Sequence, residues 1–268
     1  MLGENTPLPM HHYSYRAFAN RVIRENRYFH DNDVQQFLDF IASHFPERVL
    51  TLPKDKQLWR AQLGCDTERE LHNGVEYGEV YVPWKPARMI PDPLRVREGR
   101  ANPRGISYLY LSTSPETAMH EVRPWTGSVL SAAVFEIRED LRLVDFSEFY
   151  REEQQTKSVF SLLQEPTEEQ ILQTVWTNID NAFSTPVPNN EEPTRYIPTQ
   201  IIAELVKSKG YDGIAYRSVF SDGFNIVLFD LNVASLIYCS IYYATTVEFG
   251  FRKEEGTCSE YSINKKQI

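Results

Sequence analysis

The stretch Gly105–Trp125, GISYLYLSTSPETAMHEVRPW, places a strand directly in front of a short helix. Its first part, Ile106–Ser112, carries aliphatic and aromatic residues on both faces, which favours a strand covered on both sides. Thr113 or Ser114 is suited to cap a helix, and the proline and glutamate that follow are typical of a first helical turn. Pro124 ends the helix. The stretch therefore predicts a strand that leads straight into a helix.

This helix carries a carboxylate beside its apolar side. At about 100° per residue, Ala118 and Val122 form the apolar stripe, and Glu121 lies about 60° from Ala118. His120 falls on the opposite, solvent-facing side. A partly buried carboxylate needs a cation or hydrogen-bond donors. The helix alone leaves two interpretations open: a salt bridge, to Arg123 for example, or a functional carboxylate.

Composition and charge limit the kind of protein. The chain has 268 residues, of which 41% are hydrophobic and 24% charged, and a formal net charge of −9. This charge argues against broad nucleic-acid binding, although a single pocket needs only one or two arginines to hold a small anion. No apolar run has the length of a membrane span, and the N-terminal residues lack the basic segment followed by an apolar stretch that marks a secretory signal, so we expect a cytoplasmic protein without membrane contact.

Cysteine and histidine spacing predicts no metal site. Cys65, Cys239 and Cys258 are odd in number and far apart, which fits reduced thiols rather than a disulfide framework. The histidines include the pair His11 and His12 but form no HxH or HExxH pattern. We therefore expect no bound metal, although a site assembled from distant residues stays open, and separately we expect no cofactor.

Secondary-structure patterns along the chain indicate an α+β protein. Apolar spacing over residues 13–45 predicts two helices, with Asp31 or Asn32 capping the second. LWRAQLG, from Leu58, predicts a strand, and the roughly forty residues after it contain five prolines, so we expect an ordered excursion with little regular structure. Further strands are predicted for the segments VLSAAVFEI, YDGIAYRS and NIVLFDL. A helix that ends at a glycine is predicted for IIAELVKSKG. These patterns predict a mixed sheet without a regularly wound nucleotide fold.

Domain boundaries follow from the same patterns. We predict an N-terminal helical region over residues 1–52, a larger α+β domain over 53–250 and a C-terminal tail over 251–268. Residues 1–12 carry no periodicity and are expected to form an irregular lead-in.

Four separated segments carry candidate functional residues: LWRA with Arg60, GRANPRGISYLYLS with Tyr110, ETAMHEVRPW with Glu121, and YDGIAYRS, followed by FNIVLF, with Ser218. In this order they resemble the RES family, which is named for its Arg, Glu and Ser. The resemblance runs from about Leu58 to Asn232. The segment before Arg60 resembles the N-terminal helical region of longer RES proteins. Compared with the compact RES toxins, the chain has extra length before Arg60 and between Asp145 and Tyr196.

The resemblance implies a fold and an activity. The fold would be similar to that of ADP-ribosyltransferase toxins, with a mixed sheet preceded by the small helical region. The activity would destroy NAD+ by phosphorolysis or hydrolysis of the nicotinamide–ribose bond, with inorganic phosphate as a co-substrate in the first case. An antitoxin partner, if the protein is the toxin of such a pair, would cover the NAD+ cleft; a homodimer is left open.

The resemblance also assigns roles to residues. Glu121 would lie beside the nicotinamide ribose and oppose the positive charge that develops there. Arg60 would bind the pyrophosphate, Tyr110 would pack on or bond to the nicotinamide end, and Ser218 would donate to ribose or phosphate. These four are the predicted catalytic residues.

Three further positions are predicted to bind substrate. Arg100 and Arg123 belong to motif-bearing segments, and either could hold an attacking phosphate, although Arg100 could equally pin its loop and Arg123 pair with a surface acid. Asn225, in FNIVLF, is the third.

Two other functions stay open: transfer of ADP-ribose to a macromolecule, and a catalytically silent RES-like binding module. The fate of the ribose would distinguish the two enzymes.

Overall fold

The structure, a computed structural model, describes residues 10–11, 13–72, 75–147, 167–186, 193–248 and 250. Of the lead-in predicted over residues 1–12, residues 1–9 and 12 lie outside this part of the chain, and so does the tail predicted over 251–268. The strands in the described part are β1 (Val49–Leu52), β2 (Gln57–Leu63), β3 (Asp66–His72), β4 (Val75–Val82), β5 (Leu109–Ser112), β6 (Val129–Ile137), β7 (Leu141–Asp145), β8 (Gly213–Arg217), β9 (Phe224–Leu228) and β10 (Ala234–Tyr243). The α-helices there are α1 (Ser14–Arg24), α2 (Asn32–Ser43), α3 (Pro86–Met89), α4 (Pro115–Glu121), α5 (Glu168–Ser184) and α6 (Ile197–Ser208).

Eight of these strands form one sheet in the order β1-β7-β8-β9-β5-β2-β6-β10. Only β7 and β8 run parallel among these neighbours; the other pairs are antiparallel. Strands β3 and β4 form a separate two-stranded sheet. The predicted α+β class, a mixed sheet with helices before it, is confirmed.

The sheet is split between β2 and β5. These strands share a single paired position, Trp59 with Ser112, whereas β2 pairs with β6 over seven positions. Because the strands diverge beyond that position, backbone and side-chain groups there are free to face a cleft. The split positions the candidate site described below.

One hydrophobic cluster joins the N-terminal helices to the helices that flank the sheet. It includes Phe18 from α1, Phe37 from α2, Trp176 from α5 and Val206 from α6. The rings of Phe18 and Phe37 stack with centroids 4.7 Å apart. Helix α2 begins at the predicted cap, since the Asp31 carboxylate accepts the backbone N–H of Val34 at 2.9 Å. With β1 paired to β7, residues 13–52 are continuous with the core of the sheet.

The β3–β4 hairpin contradicts one prediction, that the residues after β2 would carry little regular structure. Both of its faces are exposed along almost the whole hairpin, with glutamates such as Glu68 and Glu79 on the two strands. Without a buried face there is no apolar alternation for a sequence pattern to reveal. The sequence signal that could have revealed it is the dipeptide Asn-Gly at positions 73 and 74, which is typical of sequences that form hairpins. Strands β1 and β10 were also missed.

In the described part of the chain, no helix combines the length and apolar character that crossing a bilayer would require. The His, Cys, Asp and Glu side chains of that part do not come together in groups of three that could hold a metal ion.

Candidate active site

The split in the sheet opens into a cleft of about 390 Å³. Its walls come from β2, β5, α4, β8 and β9, and its polar lining includes Arg60, Gln62, Tyr110, Glu121, Tyr216 and Asn225. A cleft of this size falls in the range of small-molecule sites. Four of the seven predicted site residues line it directly: Arg60, Tyr110, Glu121 and Asn225.

Helix α4 delivers Glu121 to this cleft. Ser114 caps the helix by accepting the backbone N–H of Thr117 at 3.1 Å, and Glu121 is the last helical residue. The chain then reverses at Arg123, whose φ of 48° lies in the left-handed region, before Pro124. This ending is the C-terminal turn that glycine usually occupies. It holds Glu121 at the cleft and turns the following chain away.

The Glu121 carboxylate is held by neutral donors. Its Oε1 accepts the Ser218 hydroxyl at 2.8 Å and the Asn225 side-chain N–H at 2.7 Å. Glu121 is partly buried, as predicted, but it makes no ion pair with any described residue. The suggested salt bridge to Arg123 is therefore wrong. Because both bonds fall on Oε1, the second carboxylate oxygen makes no hydrogen bond with a described residue and is left for a ligand.

Asn225 is itself oriented by β5. Its side-chain carbonyl accepts the Ser112 hydroxyl at 2.9 Å, and the two residues are paired across β5 and β9. Both side chains are buried, so the amide cannot turn over without losing partners on both sides. A chain of hydrogen bonds thus runs from Ser112 through Asn225 to Glu121.

The turn between β8 and β9 is docked against α4. The Ser221 hydroxyl lies 2.8 Å from Thr117 Oγ1, which is buried and lies one helical turn before Glu121. A Cβ at Gly223 would stand 2.0 Å from Thr117 Oγ1, so only glycine allows this approach. Ser218, at the start of the turn, is fixed as well, because its Oγ accepts the Phe220 N–H at 3.2 Å.

Arg60 supplies positive charge across the cleft. Its Nη1 donates to the backbone carbonyl of Tyr110 at 3.0 Å, across the gap where β2 and β5 diverge. Its Nε is buried without a hydrogen-bond partner among the described residues. Burial lowers the pKa of Arg60 to about 10, with Tyr110 opposing the shift and Arg88 adding to it. The guanidinium therefore stays charged at neutral pH and has an unused donor.

Tyr110 and Arg100 organise the loop before β5. The Tyr110 hydroxyl donates to Asn102 Oδ1 at 2.8 Å and accepts the Ala101 N–H at 3.0 Å. Burial raises the pKa of this hydroxyl above its ordinary value. Arg100 donates from Nη1 to the Phe183 carbonyl at the end of α5. Both side chains thus support the loop, and the ring of Tyr110 remains a wall of the cleft.

Arg123 lies on the surface beside the cleft. Its guanidinium stacks over the ring of Phe220, 5.2 Å from the centroid. His120 is exposed, as predicted from the helical wheel. The roles assigned to the seven residues toward a substrate stay predictions.

Sequence reasoning missed Tyr216 on β8, which lines the cleft. Every residue of β8 except its last is buried. A tyrosine in such a strand has a hydroxyl that needs a partner, and this was the available signal.

Comparison with known proteins places the chain in a family. The RES domain matches residues 57–251, which is more than half of the chain. A search of curated proteins finds no match. Among solved structures, a chain of the M. tuberculosis MbcT–MbcA toxin–antitoxin complex matches with 11% identity and a TM-score of 0.38, covering 76% of this chain and 92% of that chain. That likeness is too distant to inform the site. The extent of the domain match shows that the protein belongs to the RES domain family.

Proposed function

We propose that the protein degrades NAD+ by cleaving the bond between nicotinamide and ribose. The observation that carries the proposal is the Glu121 carboxylate, which Ser218 and Asn225 hold at the cleft and which forms no ion pair with a described residue. Membership of the RES family supports the choice of substrate.

The chemistry of this bond suits a fixed carboxylate. Nicotinamide in NAD+ is a cationic leaving group, so it departs as a neutral molecule without being protonated. The bond from ribose C1′ to nitrogen breaks with both electrons going to nicotinamide, and positive charge develops on the ribose. Glu121 opposes that charge with one that is already in place, and its free oxygen is suited to hold a ribose hydroxyl.

Arg60 supports binding of the other half of the substrate. Its buried Nε has no partner among the described residues, and its charge lies in the same cleft as Glu121. A diphosphate would satisfy this donor with a charge-assisted hydrogen bond. One cleft thus contains a cationic side chain suited to a diphosphate and an anionic one suited to the reacting ribose.

The final step is attack on ribose C1′ by an oxygen nucleophile. Water would form the new C1′–O bond and lose a proton to solvent, giving ADP-ribose. Inorganic phosphate would instead give ADP-ribose 1″-phosphate, with no water consumed. Both products are consistent with the proposal.

The test is product analysis of purified protein incubated with NAD+, with and without inorganic phosphate, by ion-pair chromatography with mass detection. Release of nicotinamide only with phosphate indicates a phosphorylase, and release without phosphate indicates a glycohydrolase. Labelling of an added macromolecule would indicate ADP-ribosyl transfer instead. Nicotinamide release no greater than that of Glu121→Ala would overturn the proposal.

A toxin role is the finer part of this proposal and is supported by family membership alone. Expression in a bacterial host should then lower cellular NAD+ and arrest growth, while the Glu121→Gln variant at equal abundance should do neither. Normal growth during active NAD+ cleavage in the cell would remove the toxin role. A partner that restores growth by covering the cleft would behave as an antitoxin.

A further inference from the structure

Tyr216 is a buried residue with an unused polar group. The side chain is 3% exposed, and its ring packs against Phe183 with centroids 5.6 Å apart. Its hydroxyl makes no hydrogen bond with any residue in the described ranges. This hydroxyl is therefore open to a partner that is not part of the folded chain.

The position of Tyr216 indicates what that partner would be. Tyr216 lines the same cleft as Glu121 and Tyr110, and it is paired across β8 and β9 with Asn225, whose amide holds Glu121. The contrast with Tyr110 is informative, because the Tyr110 hydroxyl already has two partners in its own loop. Of these two tyrosines, only Tyr216 has a hydroxyl free for a ligand.

The chemical character of the group decides what it would recognise. Burial raises the pKa of the Tyr216 hydroxyl, so the group stays protonated through the physiological pH range. A neutral phenol donates one hydrogen bond and brings no charge close to Glu121. It therefore suits an oxygen acceptor on a ligand, such as a ribose or diphosphate oxygen, without weakening the electrostatic role of the carboxylate.

We infer that Tyr216 is a further substrate-binding residue, whose hydroxyl donates a hydrogen bond to an oxygen of the ADP-ribose part of the substrate in this cleft. This inference rests on the proposed function. It predicts that the ligand supplies the hydrogen-bond acceptor that the Tyr216 hydroxyl lacks among the described residues. The loss of that bond should therefore weaken binding without weakening the fold.

The test uses the full-length Tyr216→Phe variant, which removes one oxygen and keeps the ring against Phe183. Tyr108→Phe is the matched control, since Tyr108 is 1% exposed, makes no hydrogen bond through its hydroxyl to a described residue and does not line the cleft. Calorimetry would measure ADP-ribose affinity, initial rates would give KM and kcat for NAD+, and thermal melting would report on the fold.

We expect Tyr216→Phe to weaken ADP-ribose binding about tenfold or more, with an unchanged or higher Tm, while Tyr108→Phe binds as the wild type does. Equal affinity of both variants and the wild type, with NAD+ still cleaved, would overturn the inference and leave the proposed function standing. A wild-type protein that neither binds ADP-ribose nor cleaves NAD+ would overturn both. A lower Tm for Tyr216→Phe would show that the hydroxyl serves the fold, and would also overturn the inference.

Discussion

Ser218 donates its hydroxyl hydrogen to Glu121 Oε1 at 2.8 Å, although the two residues are 97 positions apart in the chain. Their contact joins α4 to the turn after β8 and orients the carboxylate at the split in the sheet. The proposed activity depends on the charge of the carboxylate that this contact orients.

Replacing Glu121 with Gln should test that charge. The amide oxygen can still accept from Ser218 and Asn225, so the fold should survive, but the developing positive charge on ribose loses its counterpart. We expect kcat for nicotinamide release to fall by about 10²-fold or more, with a Tm close to that of the wild type. Glu116→Gln, an exposed change in the first turn of the same helix, is the control and should retain activity. Comparable loss in both variants would contradict the electrostatic role.

Asn225→Asp should change the pH dependence of the reaction. The new carboxylate would replace an amide donor 2.7 Å from Glu121 Oε1, and two like charges at that distance cannot both ionise easily. The pKa of the pair is then raised, so the acid limb of the kcat/KM profile should move to higher pH. Asn20→Asp, an exposed change on α1, should leave the profile unaltered. An unchanged profile in Asn225→Asp would show that Asn225 does not control the carboxylate.

Gly223→Ala should disturb the packing of α4 on the turn after β8. The added Cβ would meet Thr117 Oγ1 at 2.0 Å, so one of the two segments must move and the contact between Ser221 and Thr117 is lost. We expect a loss of stability of about 1–3 kcal/mol and reduced activity, measured by denaturant unfolding and initial rates. In Gly105→Ala the Cβ meets open space, so that variant should report backbone strain alone. Equal effects of the two changes would rule out the steric explanation.

High pH should unfold the protein through its buried tyrosines. Burial raises the pKa of Tyr108 to about 12 and raises those of Tyr110 and Tyr216 as well. Because the pKa of each tyrosine is higher in the folded than in the unfolded state, the protonated groups contribute their full stability below the unfolded pKa, near 10. This contribution is lost as the pH rises toward the folded pKa. The free energy of unfolding should fall by about 1.4 kcal/mol per pH unit for each such group above pH 10.

Circular dichroism and phenolate absorbance, recorded together, should measure this alkaline transition. In Tyr108→Phe the free energy of unfolding should fall less steeply with pH, because one titrating tyrosine has been removed. If phenolate absorbance reached its full value while the fold remained intact, the tyrosines would be accessible in the folded state and the explanation would be wrong.

Removal of Phe37 should show that the N-terminal helices belong to the core. Phe37 is buried and stacks on Phe18 in the cluster that includes residues of α5 and α6. Phe37→Ala should destabilise the whole protein by about 3–5 kcal/mol in a single cooperative transition. Phe29→Ala, at a side chain that is 87% exposed, should have little effect. Separate melting of a helical part and a sheet part would contradict a shared core.

Sequence patterns were sufficient for the elements whose signals are local. The cap of α4, the end of the helix at Pro124 and the partial burial of Glu121 depend on neighbours within one or two turns. The strands β2, β5 and β6 are dense in apolar residues and were found for the same reason. The exposed β3–β4 hairpin was missed, because a ribbon without a buried face has no apolar period to detect.

The sequence by itself determined the α+β class of the fold and the helix that carries Glu121. Through four ordered motifs it also indicated the RES family. Only the tertiary structure decided what holds that carboxylate, since Ser218 and Asn225 reach it from 97 and 104 positions away and hydrogen bonds across such separations leave no local pattern. The same holds for the split between β2 and β5 and for the hydroxyl of Tyr216, which pairs with no residue that the structure describes. The pairing of two strands and the pairing of a side-chain hydroxyl both depend on which distant parts of the chain lie beside them, and only folding decides that.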